Sequence, residues 1–168
     1  MVHGALGVDS HVSKSVIEYL LLSLEVRNDV SVELRLELKA GLIGCFQELK
    51  KFLYQQLNSV EGLHSILITD RDGVPVVSVA SDKVPELATR ASFLSTFGMA
   101  TDQGSKLGLG KNKTIICMYS SYQVVQMNKL PLVVSFIASH SCNTGHILSL
   151  EDKIDPILSN LTNAVVEA

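Results

Sequence analysis

The sequence predicts one α/β domain of the α+β kind, a five-stranded antiparallel sheet sandwiched by helices. Apolar residues at helical spacing alternate along the chain with short β-rich runs. Turn residues join several of those runs directly, which makes consecutive strands antiparallel. A length of 168 residues, 46% of them hydrophobic, is enough for about one domain with its own core.

The first 45 residues differ from the rest, and we divide the chain into an N-terminal extension, 1–45, and a domain, 46–168. Residues His11 to Val26 predict a short helix. Between residues 30 and 39, apolar and polar residues alternate with a period of two, which predicts a strand with one wet face. No hairpin partner for it is evident, and the alternative is a poorly packed extension that the domain does not require.

The predicted elements of the domain follow a regular order. They are a first helix from Phe46 to Ser59, strands Leu63 to Thr69 and Val74 to Ala80, a second helix from Phe93 to Leu107, strands Thr114 to Tyr119, Tyr122 to Met127 and Leu132 to Ala138, and a third helix from Ile147 to Val165. Residues Asp70 to Gly73 form the first hairpin turn, because the glycine can take the positive φ that a tight turn demands. A joint in the third helix is predicted at Asp155 and Pro156.

The strand order follows from where apolar residues and proline lie. Apolar groups on both faces of the first and fifth strands place these two strands side by side in the middle of the sheet. Pro75 cannot donate to a strand ladder, so the second strand lies at one edge and the third strand at the other. The order is therefore second, first, fifth, fourth, third. Because an apolar edge without charge or proline is a pairing template, we expect another subunit to cover the third strand.

The second helix predicts a surface for that subunit. Its apolar and small residues recur at steps of three or four, and the two small residues allow close approach of another helix. The predicted partner interface comprises Phe93, Phe97, Ala100, Gly104 and Leu107 of the helix, with Ile115 and Cys117 of the third strand. Leu94, Met99 and Met118 add apolar surface nearby. For any single residue, packing on its own sheet is the alternative.

Composition and motifs argue against several functions. With 14 Lys+Arg against 17 Asp+Glu and no basic run, the chain lacks a phosphate-neutralising stripe, so we expect no nucleic-acid partner. The glycine-rich residues 104–112 lack the spacing of a phosphate loop, and residues 70–73 lack the further ligands of a calcium loop. The spacing of His140, Cys142 and His146 matches no common zinc site. We predict no catalytic residue, no cofactor and no metal.

Cysteine usage and hydropathy bear on the compartment. The 3 cysteines form no Cys-x-x-Cys pair, which favours a reducing compartment such as the cytosol. The apolar run from Val16 to Val26 is short and is interrupted by Glu18 and Glu25, so no transmembrane helix is predicted. Residue 2 is Val2 rather than glycine, which excludes myristoylation. Any membrane association is expected to come through a partner.

Five stretches carry a resemblance to a known family: Val60 to His64, Thr69 to Val76, Phe93 to Phe97, Ala100 to Leu109, and Leu130 to Ala138. Through them, the chain from about residue 46 to its end resembles the MAPK-scaffold (MEK-binding partner) subunits of the Ragulator (LAMTOR) complex, a roadblock-like family. The resemblance implies a roadblock-like fold. It also implies that the second helix and the following strand pair with a second roadblock-like Ragulator subunit, which joins two sheets into one.

The resemblance further implies a non-enzymatic scaffold on the cytoplasmic face of the late endosome or lysosome membrane, held there through a lipidated partner. Such subunits assemble with the other Ragulator subunits, engage Rag GTPases for activation of TOR complex 1 by amino acids, and bring MEK and ERK kinases together. A roadblock-type dynein light chain, a homodimeric motor adaptor, is the alternative with the same fold. A small-molecule sensor or enzyme would require a convergent polar pocket, which no residue set in the sequence supplies.

Overall fold

The computed structural model describes residues 32–166. Its helices are α1 (Val32–Ser59), α2 (Ala91–Leu94), α3 (Thr96–Ser105), α4 (Thr144–Ser149) and α5 (Glu151–Val166), with a 3-10 helix at Glu86–Thr89 before α2. Its strands are β1 (Leu63–Thr69), β2 (Pro75–Ala80), β3 (Thr114–Met118), β4 (Tyr122–Lys129) and β5 (Leu132–Ser139). The five predicted strands are all present, and the bounds of β1 are those that the sequence predicts.

The strands form one antiparallel sheet in the order β2-β1-β5-β4-β3, which confirms the predicted fold class and strand order. Strands β1 and β5 occupy the centre, paired from Leu63 opposite Ala138 to Thr69 opposite Val133. Pro75 begins β2 at one edge, where the missing N–H donor removes no central ladder bond. Strand β3 forms the other edge.

Two apolar layers cover the two faces of the sheet. The larger core, under α1, α4 and α5, has fully buried members that include Leu49, Leu53, Ile66, Phe136, Ile147 and Ile154. On the opposite face, the 3-10 helix and α2 cover a smaller cluster of Leu67, Ala88, Leu94, Val124 and Ile137. Successive residues such as Ile66 and Leu67 point to opposite faces, as expected in a strand that is covered twice. We call these faces the α1 side and the α3 side.

The β1–β2 turn has the predicted hairpin geometry. The Oδ1 atom of Asp70 accepts hydrogen bonds from the backbone N–H groups of Asp72, at 2.9 Å, and Val74, at 2.8 Å. Gly73 has a φ of +82°. A Cβ at this position would lie 2.5 Å from the carbonyl oxygen of Ala91. Glycine is therefore required both by the turn and by the close approach of α2.

The prediction of a strand between residues 30 and 39 is wrong for residues 32–39, the part that the structure describes. Residues 32–39 belong to α1, which continues without a break past residue 45 to Ser59. A lone strand would leave its backbone groups unpaired, whereas the Leu, Glu, Arg and Lys residues here are good helix formers that extend an existing helix. The helix predicted from His11 to Val26 lies outside the described residues. The division at residue 45 stays a prediction.

The second predicted helix is divided into α2 and α3 at Ser95. Side-chain hydroxyls compete with the helical hydrogen bonds at this point. Ser95 Oγ donates to the carbonyl of Ser92 at 3.2 Å, and Thr96 Oγ1 donates to the carbonyl of Phe93 at 2.5 Å. Both bonds fall on the last turn of α2, which explains a short interruption that apolar spacing cannot reveal.

The joint predicted at Asp155 and Pro156 is wrong. The third predicted helix breaks instead at Leu150, between α4 and α5, and Pro156 lies inside α5. The N–H of Leu150 bonds back to the carbonyls of Ile147 and Leu148 and closes the last turn of α4. Pro156 is exposed, so α5 tolerates the loss of one hydrogen bond near its start.

Candidate partner interface

Strand β3 leaves one edge of the sheet open. It pairs with β4 from Thr114 opposite Met127 to Met118 opposite Gln123. Among residues 32–166, no other strand pairs with its outer side. Its five residues, Thr-Ile-Ile-Cys-Met, include no charge and no proline. Such an edge presents unpaired backbone groups to an incoming strand.

Two of the predicted interface residues lie on the α3 side of this strand. Ile115 is opposite Gln126 and Cys117 is opposite Val124, a buried member of the α3-side cluster. Both Ile115 and Cys117 are partly buried, because α3 approaches β3 from this side. They would lie next to any strand that pairs with β3.

The other three residues of β3 point to the α1 side. Ile116 lies opposite Val125, and Met118 lies two residues further along the same row. Val125 is fully buried, whereas Ile116 is 44% and Met118 is 62% exposed. The edge strand is therefore apolar on both faces but is covered by helices mainly on one.

Some residues of the predicted helix face are buried in the chain's own core, and others are exposed to solvent. Phe97 is only 3% exposed, and Phe93 is partly buried against the α3-side cluster. Ala100 is exposed on α3, and Leu107, just beyond the end of α3, is 73% exposed. Phe97 is thus engaged inside this chain, while Ala100 and Leu107 are free to meet a partner.

Gly104 lies against this chain's own linker between α3 and β3. A Cβ at Gly104 would lie 3.5 Å from the Cβ of Asn112. The neighbouring Ser105 Oγ accepts a hydrogen bond from the Asn112 N–H at 3.0 Å and donates to the carbonyl of Thr101 at 2.8 Å. A separation of 3.5 Å is an ordinary van der Waals contact, so the linker leaves room for a Cβ at position 104. A role for Gly104 in partner contact stays a prediction.

Further exposed apolar residues adjoin this surface. Met99 on α3 is 66% exposed, Leu109 in the linker 89%, and Tyr119 after β3 50%. We define the edge surface as the outer backbone of β3 together with Met99, Ala100 and Leu107. Ile116 and Tyr119 lie in the third strand that another subunit is predicted to cover, Thr114 to Tyr119, but were not among the seven residues named for the interface, and Leu109 was not predicted. The unbroken apolar run within β3, Ile115 to Met118, is a signal that could have found Ile116.

Tyr119 follows β3 beside the edge surface, and its hydroxyl has a raised pKa. Burial raises the pKa of the Tyr119 hydroxyl, and the neighbouring Cys117 raises it further through charge repulsion and a hydrogen bond. A raised phenol pKa keeps Tyr119 uncharged near neutral pH.

A pocket of about 300 Å³ lies on the α3 side, between α3, the β1–β2 turn and the end of β4. Phe97, Val133 and Leu130 supply apolar walls, and Arg71 pairs with Asp102 at 2.9 Å on its rim. Both partners of that pair are largely exposed, so the pair holds the rim together only weakly. The lining residues contain no nucleophile hydrogen-bonded to a base, and the pocket does not resemble a catalytic centre.

His140 and Cys142, in the turn after β5, and His146, in α4, are not arranged around a metal. Cys142 is 7% exposed and packs into the α1-side core, whereas both histidines are exposed. Burial raises the pKa of the Cys142 thiol. Within residues 32–166, no group of three or more His, Cys, Asp or Glu side chains is placed to hold a metal ion.

Over the same described range, no helix combines the length and the apolar character needed to cross a bilayer.

Comparison with known proteins places this surface in a family context. Residues 47–165 match the family model described as mitogen-activated protein kinase kinase 1 interacting. The chain belongs to this family. The match spans the domain from α1 to α5 and includes β3, α3 and every residue of the predicted interface.

Named relatives are similar to about 70% of this chain. The proteins named Ragulator complex protein LAMTOR3 from Homo sapiens and Mus musculus are each 64% identical over 118 residues, 70% of this chain and 95% of the relative. Ragulator complex protein LAMTOR3-A from Xenopus laevis is 63% identical over 120 residues, 71% of this chain and 98% of the relative. These matches support the resemblance to a MAPK-scaffold Ragulator subunit.

Solved structures share the fold of this family member at low sequence identity. The gliding protein MglB from Thermus thermophilus has a TM-score of 0.60 at 16% identity, covering 74% of this chain and 93% of that one. A Roadblock/LC7 domain from Streptomyces avermitilis has a TM-score of 0.50 at 12% identity, covering 66% of this chain and 95% of that one. The fold is therefore of the roadblock type, as the family resemblance implies.

Proposed function

We propose that this chain is a non-enzymatic adaptor subunit of a Ragulator complex, which pairs with a second roadblock-type subunit through the edge surface. The observation that carries this proposal is the junction of an open, uncharged strand edge with an exposed apolar helix face. Strand pairing satisfies the backbone groups of β3, while Met99, Ala100 and Leu107 bury apolar area against the partner. Neither feature is useful to a protein that acts alone.

The wider role follows the relatives and the family description. Relatives at 63% to 64% identity carry the name Ragulator complex protein, and the family is described by interaction with a MAP kinase kinase. On that basis the adaptor engages Rag GTPases for amino-acid activation of TOR complex 1 and brings MEK and ERK kinases together. A lipidated partner holds it on the cytoplasmic face of late endosomes and lysosomes. The seven predicted interface residues belong to this proposal, with Phe97 and Gly104 acting through the shape of α3.

The test is co-expression of the full chain with a second roadblock-type subunit from the same organism. We expect a one-to-one heterodimer by size exclusion with light scattering. Ala100→Arg places a large charged side chain in the close helix contact, so we expect heterodimer affinity to fall at least about tenfold. Leu87→Arg alters a 67% exposed leucine on the 3-10 helix and is the matched control. Unchanged pairing of Ala100→Arg contradicts the edge surface.

The rival with the same fold, a roadblock-type dynein light chain, makes a different prediction for the isolated protein. It would form a stable homodimer of twice the 18.2 kDa chain mass and would recruit a motor intermediate chain. Light scattering on the protein alone separates the two functions. A homodimer that does not exchange with the second roadblock subunit would favour the rival.

The scaffold role needs its own measurement, because heterodimer formation does not establish kinase binding. The heterodimer with purified MEK should yield a stoichiometric complex, which Leu87→Arg leaves intact. In cells, the tagged chain should overlap a lysosomal marker and lose that overlap when the lipidated subunit is depleted. Retention on lysosomes without the lipidated subunit would contradict indirect membrane attachment.

A further inference from the structure

The linker between α3 and β3, residues 106–113, carries an exposed leucine at its tip. Leu109 is 89% exposed and is the most exposed of the large hydrophobic side chains that the structure describes. Glycines stand on both sides of it, and a Cβ added to Gly108 or Gly110 would meet no heavy atom within 4 Å. Open space on both sides places Leu109 at a convex point of the surface and not in a groove.

Three lysines surround this leucine in the sequence without a carboxylate to neutralise them. Lys106, Lys111 and Lys113 are all exposed, and among the residues that the structure describes none of them forms an ion pair. Asp102, the nearest acidic residue before the linker, is held by an arginine at 2.9 Å, and the next acidic residue along the chain is Glu151. The linker is therefore locally cationic, although the whole chain has a net charge of −3.

The β4–β5 turn adds a second exposed leucine at the same end of the sheet. Leu130 is 57% exposed, and Pro131 after it is also exposed. The backbone N–H of Asn128 donates to the carbonyl of Lys113 at 2.7 Å, which holds the linker beside the turn. Lys111 and Leu130 line the same pocket. We call this surface the basic tip and define it by Lys106, Leu109, Lys111, Lys113 and Leu130.

An anionic bilayer surface matches both features of the basic tip. Lysines are attracted to the acidic lipids of a cytoplasmic leaflet, where each basic residue near the surface strengthens binding about fivefold. A leucine at a convex point can bury its whole side chain in the deformable headgroup region, whereas a folded protein would need a matching cavity for it. The proposed function brings this chain to such a leaflet.

We propose that the basic tip contacts an anionic membrane surface, with Leu109 inserted among the lipid headgroups and the three lysines beside their acidic groups. This inference rests on the proposed attachment of the complex to a membrane by a lipidated partner. Because a single acyl chain binds a bilayer only marginally, stable anchoring takes a second signal. The basic tip supplies that weak second contact and prolongs residence on the membrane without replacing the lipidated partner.

An acidic segment of another protein is the competing occupant. It would neutralise the lysines of the basic tip, but it would leave Leu109 without a hydrophobic contact, because acidic segments are poor in apolar side chains. The exposed Leu130 strengthens this difference, since apolar side chains combined with lysines are typical of surfaces that enter the headgroup region. The two leucines therefore favour the bilayer.

Tryptophan fluorescence tests the insertion, because the chain contains no tryptophan of its own. Leu109→Trp, or Leu87→Trp on the 67% exposed control position, is placed in the full chain and assembled with the second roadblock-type subunit and the lipidated subunit. The complexes bind vesicles of phosphatidylcholine with or without phosphatidylserine, and the parent complex gives the background of the other subunits. We expect a blue shift and quenching by brominated lipid at position 109 on vesicles with phosphatidylserine, and neither at position 87.

A charge-removal variant gives an independent measurement. The tip variant exchanges the three lysines of the basic tip for glutamine, and the control variant makes the same exchange at three exposed lysines elsewhere, Lys51→Gln, Lys83→Gln and Lys153→Gln. The tip variant should bind vesicles with phosphatidylserine at least about tenfold more weakly than the control variant. Vesicles of phosphatidylcholine alone should not distinguish the two.

Several outcomes would overturn the basic tip. Equal vesicle binding by the tip and control variants would do so, as would fluorescence at position 109 that vesicles with phosphatidylserine leave unchanged. The second outcome, combined with weaker binding by the tip variant, would assign the lysines to an acidic surface that Leu109 does not enter. A tip variant that no longer assembles would place the linker in a subunit contact and overturn this inference alone, whereas a parent chain that does not assemble would overturn the proposed function.

Discussion

Gln123 of β4 is hydrogen-bonded to the turn that leads into α4: its side-chain amide donates to the carbonyl of Cys142 at 2.6 Å. The same nitrogen donates to the Ser139 carbonyl at 3.0 Å, and the amide oxygen accepts from Thr144 Oγ1 at 2.7 Å. Gln123 is fully buried. One side chain thus satisfies three polar groups where β5 leaves the sheet, and it fixes the start of the helical layer beside β3.

Removing that amide should destabilise the fold. Gln123→Leu keeps a similar volume but leaves the Cys142 carbonyl and the Thr144 hydroxyl without their partner, at a cost of about 2 to 3 kcal/mol. The denaturant midpoint at constant m-value measures this cost. The exposed Gln47→Leu on α1 is the control and should change stability by less than about 0.5 kcal/mol. Equal midpoints for the two variants would contradict the role of the network.

Gly73 and Gly98 should respond oppositely to alanine. At Gly73, with a φ of +82°, the new Cβ would lie 2.5 Å from the Ala91 carbonyl oxygen, so Gly73→Ala should cost at least about 2 kcal/mol. Gly98 is inside α3, and its new Cβ would meet the Arg71 carbonyl oxygen at an ordinary 3.7 Å. Gly98→Ala should therefore stabilise by about 0.5 to 1 kcal/mol. Thermal denaturation of both variants checks the difference in sign.

Lys129 joins the end of β4 to α5. Its ammonium donates to Glu151 at 2.5 Å and to Asp155 at 2.8 Å, and its side chain is 20% exposed. Burial lowers the pKa of Lys129, but the hydrogen bonds and charges of Asp155 and Glu151 outweigh burial and raise the pKa overall, above the ordinary 10.5. Lys129→Met should lower the free energy of unfolding by about 1 to 2 kcal/mol near neutral pH. This value lies between those typical of exposed and of buried ion pairs.

The direction of the Lys129 pKa shift sets how the stability cost of Lys129→Met depends on pH. A folded-state pKa above the unfolded value gives stability that is complete below pH 10.5 and is lost as pH rises through the folded pKa. The stability difference between the parent and Lys129→Met should therefore be constant near neutral pH and shrink only in strong alkali. A difference that changes between neutral and mildly acidic pH through Lys129 would contradict this assignment.

His64 should make the fold less stable in mild acid. Burial, and then the positive charge of Lys83, lower the pKa of His64 below its ordinary 6.5, and the edge of Tyr122 packs against the ring at 6.2 Å between centroids. A lowered folded-state pKa gives stability that is present above pH 6.5 and is lost as pH falls through the folded value.

Unfolding across this pH range measures the effect of His64. His64→Gln should remove part of the acid-side loss of stability, and Lys83→Met should reduce it by a smaller amount, because Lys83 is the second cause of the shift. The slope of unfolding free energy against pH is compared between each variant and the parent, so that contributions of other groups cancel. Parallel slopes for the parent and His64→Gln would contradict this prediction.

The sequence by itself determined the sheet. The run Leu63 to Thr69 is bounded by turn residues on both sides, and Pro75 excludes β2 from any central position, so the bounds of β1 and the strand order followed from the sequence. These are local properties of each run, set by side-chain alternation and by the missing N–H of proline. The other four strands differ from their predicted bounds by one or two residues at one end. The division of apolar residues between the two faces follows from the same alternation.

Only the tertiary structure decided which apolar side chains are exposed to solvent and which are buried. Ile116 and Val125 face the same side of the sheet and are similar in character, yet only Val125 is buried, because the helices of the α1 side end between β3 and β4. Phe97 and Ala100, three residues apart on the predicted face of α3, likewise differ in burial, since Phe97 is buried and Ala100 is exposed. A residue's face is encoded in its own segment, whereas its burial depends on what a distant segment places against it.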